Sequence, residues 1–323
     1  MIIKLDKIKD ISLKEKFMII DCLKRFFKNV LPYSVVHLYQ KYQAFNRFAS
    51  QSWAPLERNH DHCILIANGP STNRFLPEIS IRKADYDIIT VNWSLNDERI
   101  RSLQPHAHIC IDSTFFKNTE KRNLFSDILS HVTWNMRFYL NEEGYNYYTL
   151  CDLPQNIIVR SVPTSYPPFL SEIEKIFSFL DNGKCGCGGM NVLSAALFLA
   201  VNAGYKKIFC SGIDASYRKN FTVDEYCRLI VDHMHFYDKN NALFLETMDV
   251  GWMYYLELKF ILELELVKMY TDFKKCQIIN LCEESLHDMF EKGNLDGLIY
   301  ESKRSSPRLN VLEYLNKLYR GVL

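Results

Sequence analysis

The chain has 323 residues, 48% hydrophobic and 24% charged, a size and balance that can bury a substantial core and that exclude a disordered chain. Its net charge of +1 argues against a nucleic acid as partner, since a polyphosphate backbone selects a strongly basic face. The aromatic content of 14% suits a stacking or carbohydrate-binding cleft, although core packing is the default use of such residues. Cysteines such as Cys22, Cys63, Cys110, Cys210 and Cys282 lie mostly in apolar runs, where a thiol behaves as a small hydrophobe, and this usage fits a reducing cytosol. No charged-then-apolar leader opens the sequence, and no apolar run reaches the roughly 18 residues that cross a bilayer, so a cytoplasmic protein is expected.

Residues 1–60 form a basic, aromatic extension with helical patterning through Phe17, Ile20, Leu23, Phe26 and Phe27, broken at Pro32 and resumed over Val35–Phe48. Lys14, Lys16, Lys24, Arg25 and Lys28 lie alongside. Such a helix can dock on an anionic inner leaflet through residues 1–50, or pack on the main domain with its lysines in water.

Residues 61–215 change to short β-type runs alternating with helices: Cys63–Ala67, Ile88–Val91, Ala107–Ile111, Ile157–Val159 and Lys207–Ser211, joined later by Gln277–Leu281. This alternation predicts an α/β, Rossmann-like, mostly parallel sheet covered by helices. Open sheets of that kind bind ligands outside the carboxyl ends of their strands, which makes each strand end informative.

The first strand runs into Asn68-Gly69-Pro70-Ser71. Gly69 permits close backbone approach or positive φ, Pro70 suits a helix start, and Ser71 places a hydroxyl beside exposed N–H groups where a phosphate would sit. The second strand ends at Asn92, an amide that can donate and accept at once toward ribose hydroxyls or phosphate, or serve as a helix N-cap. At the third, Asp112 presents a carboxylate able to accept from ribose hydroxyls. Further on, Lys184-Cys-Gly-Cys-Gly-Gly189 uncovers backbone amides at Gly188 and Gly189 before an Ala-rich helix over Met190–Ala203. Cys185 and Cys187 do not complete a tetrahedral metal site without a second pair, and no metal is expected. The strand Gly204-Tyr-Lys-Lys-Ile-Phe-Cys-Ser-Gly-Ile-Asp214 then brings Asp214 to the same edge.

Residues 216–275 are expected to form a helical lid, rich in Tyr and His, that holds the acceptor side. Within it, Asp232-His233-Met234-His235-Phe236-Tyr237-Asp238 carries two imidazoles, either of which could take a proton from an acceptor hydroxyl. Residues 276–323 supply the last core strand, a helix through Phe290 and a final helix around Val311–Leu318.

Asn68-Gly-Pro-Ser, Val91-Asn92, Gly188-Gly189 before the Ala-rich helix, Gly204–Asp214 and Ile279-Asn-Leu-Cys-Glu-Glu-Ser-Leu286 together resemble the bacterial sialyltransferases of glycosyltransferase family 42 and the related domain of motility accessory factors. The resemblance spans roughly residues 62–290 and is strongest over Gly188–Asp214. It implies a Rossmann-like variant of the glycosyltransferase A fold, a CMP-activated acidic sugar as donor substrate, no cofactor or essential metal, and inversion with a lid histidine, His235 or His233, as base. It also implies Asn68, Asn92 and Gly189 around CMP, with Asp112 where the family tends to place an Asn. The acceptor would be a bacterial surface glycan or glycolipid, met at the cytoplasmic face of the membrane.

The sequence departs from that family in two places. The family's Arg-Ile-Thr-Ser-Gly is here Cys185-Gly-Cys-Gly-Gly189, which leaves only Lys184 as a nearby cation. The tyrosines that hold phosphate align with Ser216 and Thr222, which leaves Tyr217 and Tyr226 as displaced candidates. A second resemblance, to archaeal-type pterin diphosphokinases, rests on the strand–GPS–strand–VN layout and the Gly-Gly-led helix; it implies ATP and Mg²⁺ with Asp112 and Asp214 as carboxylates. A non-catalytic nucleotide-binding protein is the third reading.

Overall fold

The computed structural model describes residues 54–164, 173–215, 221–232, 235–237, 242–244 and 249–301. The expected extension over residues 1–60 up to Trp53, the lid residues Tyr217 and His233, and the final helix near Val311–Leu318 lie outside them.

The core is one sheet of eight strands, all parallel. They are β1 (His62–Ile66), β2 (Asp87–Val91), β3 (Ala107–Cys110), β4 (Met136–Leu140), β5 (Ile157–Ser161), β6 (Lys207–Ser211), β10 (Gln277–Asn280) and β11 (Glu291–Lys292), in the spatial order β11-β10-β6-β1-β2-β3-β4-β5. From β1 the chain builds outward to β5, then returns to lay β6 on the other side of β1, so the winding reverses between β1 and β6. In registers such as Leu65↔Ile89 and Leu65↔Cys210, β1 is hydrogen-bonded on both sides. This is the Rossmann-like parallel sheet expected from the alternating pattern. Strand β4, with Arg137 inside it, and the two-residue β11 are additional to that expectation.

The strands are apolar on both faces because helices cover both, as parallel sheets require. On one face Ile64, Ile66 and Ile88 join Leu76 and Ile79 of α1 (Thr72–Arg82), and Phe125, Ile128 and Leu129 of α4 (Thr119–Ser130), in one buried cluster. Two short helices, α2 (Glu98–Ser102) and α3 (Thr114–Lys117), precede α4; α5 (Glu142–Tyr148) and α6 (Ile173–Asp181) follow it. By alternation Cys63 and Leu65 point to the opposite face. There α7 (Val192–Asn202) lies on β1, β2 and β3. Its sequence VLSAALFLAVN has no polar face, and Leu193 through Val201 are all buried, as befits a helix covered on every side. Asn191 starts it by accepting from the Leu193 N–H, and the 24-residue α8 (Val250–Phe273) packs against it.

At the amino-terminal edge of the sheet Asp87, 2% exposed, is saturated by donors: the Asn59 N–H at 2.7 Å, the His60 N–H at 3.1 Å and the Tyr205 hydroxyl at 2.8 Å. Burial alone would raise its carboxyl. The Tyr205 hydroxyl, the Asn59 N–H and the nearby His106 outweigh it and hold the group below the ordinary carboxylate value.

The segment expected to form a helical lid differs from that expectation. Its first part is a three-stranded antiparallel sheet, β7 (Phe221–Val223), β8 (Leu229–Asp232) and β9 (Ala242–Phe244), and only its second part is helix, α8. Asp224 makes the β7–β8 turn by accepting from the N–H groups of Tyr226 and Arg228 and from the Arg228 guanidinium at 2.7 Å. Leu229 and Val231 then bury against Met253 of α8, so the alternation of period two wins over helix. The helix expected between Glu283 and Phe290 is likewise absent: a string of turns leads from β10 to β11.

Candidate functional site

The reversal between β1 and β6 opens a crevice at the carboxyl ends of the strands, where doubly wound sheets bind ligands. A cleft of about 400 Å³ fills it, lined from β1 by Asn68 and Gly69, from β2 by Asn92, from β3 by Asp112, from the α7 loop by Gly189 and from β6 by Asp214. His235, Phe260 and His287 complete the walls. Seven of the residues anticipated from sequence thus converge: Asn68, Gly69, Asn92, Asp112, Gly189, Asp214 and His235.

Two amides lack partners where the cleft begins. Among the described residues the Oδ1 atoms of Asn68 and Asn92 are buried without a hydrogen-bond partner. A buried acceptor with no donor is costly, and it favours a ligand that brings hydroxyl or amino hydrogens. Asn92 also has φ of 46° and opens a short 3-10 turn as its first residue, so it is not the N-cap; Val91 holds that position. Ala215 has φ of 52° just past β6, which puts left-handed backbone at two edges of the cleft. Asp112 accepts from the Thr114 N–H at 2.9 Å and remains exposed.

The turn after β1 is built by close approach within the chain. A Cβ on Gly69 would lie 1.9 Å from Oδ2 of Asp214, and the Gly69 N–H is bonded to the Gly212 carbonyl at 2.8 Å. Oδ2 of Asp214 in turn accepts from the Ser71 N–H at 3.2 Å, and Oδ1 from the Cys282 thiol at 3.0 Å. The N–H that the sequence offered to a phosphate is therefore taken by the protein's own carboxylate. Ser71 itself lies outside the main cleft, lining a neighbouring hollow of about 300 Å³ with Arg74, Phe75 and Cys282.

The same thing happens at the second expected anion site. Glu263 of α8, 3% exposed, accepts from the N–H groups of Gly189 at 3.0 Å and Met190 at 2.9 Å and from the Ser194 hydroxyl at 2.6 Å. Burial pushes its carboxyl up, while Ser194 and the two N–H groups pull back. Gly188 is buried and does not line the cleft. At φ of 116°, a Cβ there would meet Oε1 of Glu263 at 2.1 Å, so its missing side chain makes room for that carboxylate. Cys185 and Cys187 are fully buried, with thiols pushed up by burial, and pack as hydrophobes. Lys184 does not line the cleft.

Two imidazoles reach the cleft. His235 stacks flat on Tyr237, with ring centroids 5.0 Å apart, and its segment is tied down by the Phe236 N–H on the Asn68 carbonyl at 2.9 Å. Asn73 adds a hydrogen bond to the Phe236 carbonyl at 2.9 Å. His287 is 6% exposed, edge-on to Phe260 at 5.5 Å, and was not among the anticipated residues. A histidine a few residues past the last core strand was the signal. Tyr226 is 71% exposed and lines no part of the cleft. Among the described residues no group of three His, Cys, Asp or Glu is placed to hold a metal ion, and no helix is long and apolar enough to cross a membrane.

Set beside known proteins, the chain is similar in structure to the MAf glycosyltransferase from Magnetospirillum magneticum AMB-1, with 11% identity and a TM-score of 0.46 over 86% of this chain and 40% of that one. It is also similar to the sialyltransferase CstII from Campylobacter jejuni, solved in complex with the substrate analogue CMP-3FNeuAc. That likeness has 15% identity and a TM-score of 0.40 over 79% of this chain and 99% of that one. The chain spans less than half the length of the first of these. No curated protein matches it. The family model for MptE-like proteins, described as 6-hydroxymethylpterin diphosphokinase MptE-like, matches residues 36–220. That match covers more than half of the chain and takes in β1 through β6 with both sides of the crevice; the chain belongs to the MptE-like family.

Proposed function

We propose that this protein is an inverting glycosyltransferase that moves an acidic sugar (sialic acid, Kdo or another nonulosonate) from a CMP donor to a bacterial surface glycan. The observation that carries the reading is the composition of the cleft: two unpartnered amide acceptors beside two imidazoles at the topological switch point. Asn68 and Asn92 suit the hydroxyl and amino hydrogens of a cytidine, and Asp112 accepts from its ribose. His235 is the general base. It removes the proton of the acceptor hydroxyl as that oxygen bonds to the anomeric carbon, while the bond from that carbon to the phosphate oxygen breaks and CMP leaves with the electron pair. A CMP leaving group carries one phosphate, whose charge hydrogen-bond donors can stabilise, so the reading calls for no metal. Reaction at the inner membrane face, with residues 1–50 on the lipid, belongs to the same reading.

Incubation of the purified protein with CMP-sialic acid, CMP-Kdo and CMP-pseudaminic acid tests it. The expected result is CMP release from one of them in the presence of chelator; no release above background and no CMP binding by calorimetry would sink the reading.

The family description favours a second reading, pyrophosphate transfer from ATP to a pterin. Magnesium would then need Asp112 and Asp214. Those residues follow β3 and β6, three strand spacings apart in the sheet, roughly 14 Å, and a cation with ligands at about 2.1 Å cannot be shared across that distance. Both carboxylates also serve protein donors already. The residues do not fit one shared Mg²⁺. Turnover of ATP with 6-hydroxymethylpterin, abolished by chelator, would establish the second reading over the first.

A further inference from the structure

We infer that the outer face of α8 seats this protein on the headgroup boundary of a lipid bilayer, whatever sugar donor the cleft takes. A helix on the surface of a water-soluble domain ordinarily turns an apolar stripe of about 100° toward the core and charge toward water. The first three turns of α8 depart from that rule. Met253 and Phe260 turn inward, onto β8 and into the cleft wall, yet Val250, Trp252, Tyr254, Tyr255 and Leu258 are between 37% and 63% exposed. At about 100° per residue these five spread over roughly 200° of the circumference. Between Val250 and Leu262 the sequence has only two charged residues, Glu257 and Lys259; the first falls outside that arc and the second within it. The apolar surface continues past the helix. Tyr254 meets Phe221 of β7 edge-on, with ring centroids 6.4 Å apart, and Val223 and Tyr226 follow at the β7–β8 turn, 53% and 71% exposed. Contiguous exposed apolar surface of this kind marks a contact site.

Shape and chemistry favour a bilayer over a protein as the occupant. A second protein surface, a copy of this chain included, lays a helix or strand along one stripe, and a single stripe leaves about half of this arc in water. A bilayer surface takes in the whole arc. Four of the exposed side chains, Trp252, Tyr254, Tyr255 and Tyr226, have an apolar body and a polar tip, the build that sorts to the boundary between headgroups and acyl chains. Lys259 has a similar build: its ammonium lies 4.9 Å from the centre of the Tyr255 ring, and its stem can reach to lipid phosphates while covering apolar surface. With one cation in the arc the attraction is chiefly apolar, so it survives salt that screens a lysine-rich segment. The helix lies along the bilayer and does not cross it, because its length includes Glu257, Lys259, Glu263 and Glu265.

Co-sedimentation of the full chain with phosphatidylcholine vesicles at high salt, where the basic residues 1–50 are screened, tests this. The intact protein should bind. The double variant Trp252→Ser/Tyr255→Ser should partition about ten- to a hundredfold more weakly, from the apolar area that two half-exposed rings can bury, at an unchanged melting temperature. Trp252→Phe/Tyr255→Phe, which keeps the rings, should recover most of the loss. Leu258→Asp, which sets a carboxylate in the middle of the arc, should by itself weaken partitioning about tenfold or more. Failure of the intact protein to bind these vesicles would overturn the assignment. Equal binding by the intact chain, the double serine variant and Leu258→Asp would overturn it as well, and would move the lipid contact elsewhere on the chain. A dimer seen by analytical ultracentrifugation, abolished by Leu258→Asp and accompanied by no vesicle binding, would give the face to a second copy and also overturn it. All of these outcomes can be read whether or not CMP binds, so the donor reading and the bilayer contact fail separately.

Discussion

The two edges of the central sheet treat buried polar groups in opposite ways. At the amino-terminal edge Asp87 is surrounded by the N–H groups of Asn59 and His60 and the hydroxyl of Tyr205, so its hydrogen-bonding capacity is spent inside the protein. At the carboxyl edge, one or two residues past their strands, Asn68 and Asn92 hold acceptors that nothing among the described residues satisfies, and Asn92 and Ala215 adopt left-handed backbone. A buried polar atom thus means different things at the two places. A satisfied polar group makes the fold specific, whereas an unsatisfied one beside strained backbone keeps a place for a ligand.

Four experiments separate the edges. The largest effect is expected from His235→Ala, which should lower turnover by about 10² to 10⁴-fold, the span of general base catalysis, with little change in melting temperature; a loss under fivefold would remove His235 from the base role. Next, Asp87→Ala should cost about 3 kcal/mol in urea unfolding, because several buried donors lose their partner together, while the affinity for CMP in the folded protein stays unchanged. A fall in affinity without loss of stability would invert the contrast between the edges. At the carboxyl edge, Asn92→Gly keeps the backbone free to adopt its positive φ and deletes only the amide. It should weaken nucleotide binding by about 1 kcal/mol, roughly fivefold, with stability nearly unaltered; unchanged affinity would mean that the unpartnered amide serves no ligand.

The smallest effect concerns acid. The Asp87 carboxyl is held below its ordinary value of 3.8 in the folded protein, so its contribution to stability is complete above that pH and is lost as the pH falls through the lower folded value. Urea midpoints taken between pH 5 and pH 2.5 should drop less steeply for Asp87→Asn than for the intact chain, and parallel curves would assign the acid sensitivity elsewhere.

Much of this was legible in the sequence, for reasons that also explain what was not. Strands β1, β2, β3, β6 and β10 are short apolar runs ending in polar residues, and burial on both faces of a parallel sheet writes such runs directly. The conjunction of Asn68, Asn92, Asp112, Asp214 and Gly189 at one edge followed from topology alone. Strand β4 hid because Arg137 interrupts its apolar pattern, and that side chain leaves the core to pair with Glu57. The lid strands hid because three- and four-residue runs have no period of their own; β8 exists through its burial on Met253. His287 was hidden by distance, since only the return of the chain past β10 sets it near Asp214. Glu263 left a trace in the sequence, a carboxylate flanked by leucines in Leu262-Glu-Leu-Glu-Leu266, which demands a buried donor set once that face is covered. That donor set includes the Gly189 amide expected at the nucleotide, joined by the Met190 amide and the Ser194 hydroxyl. Each glycine was read for its freedom toward a ligand, whereas Gly69 and Gly188 serve close approach by Asp214 and Glu263.

Glu263 has a mechanical consequence through the helix that carries it. Over 24 residues α8 is a rod of about 36 Å. Its first turn holds Met253 against β8 of the lid, Phe260 in its middle forms part of the cleft wall, and Glu263 further along grips the amides of Gly189 and Met190. Few soft points separate these contacts, for the rod contains no proline and its single glycine, Gly251, sits in the first turn. One uninterrupted stretch of helix, Met253 to Glu263, thus ties the small antiparallel sheet, the Phe260 wall of the cleft and the glycine loop to a single stiff element.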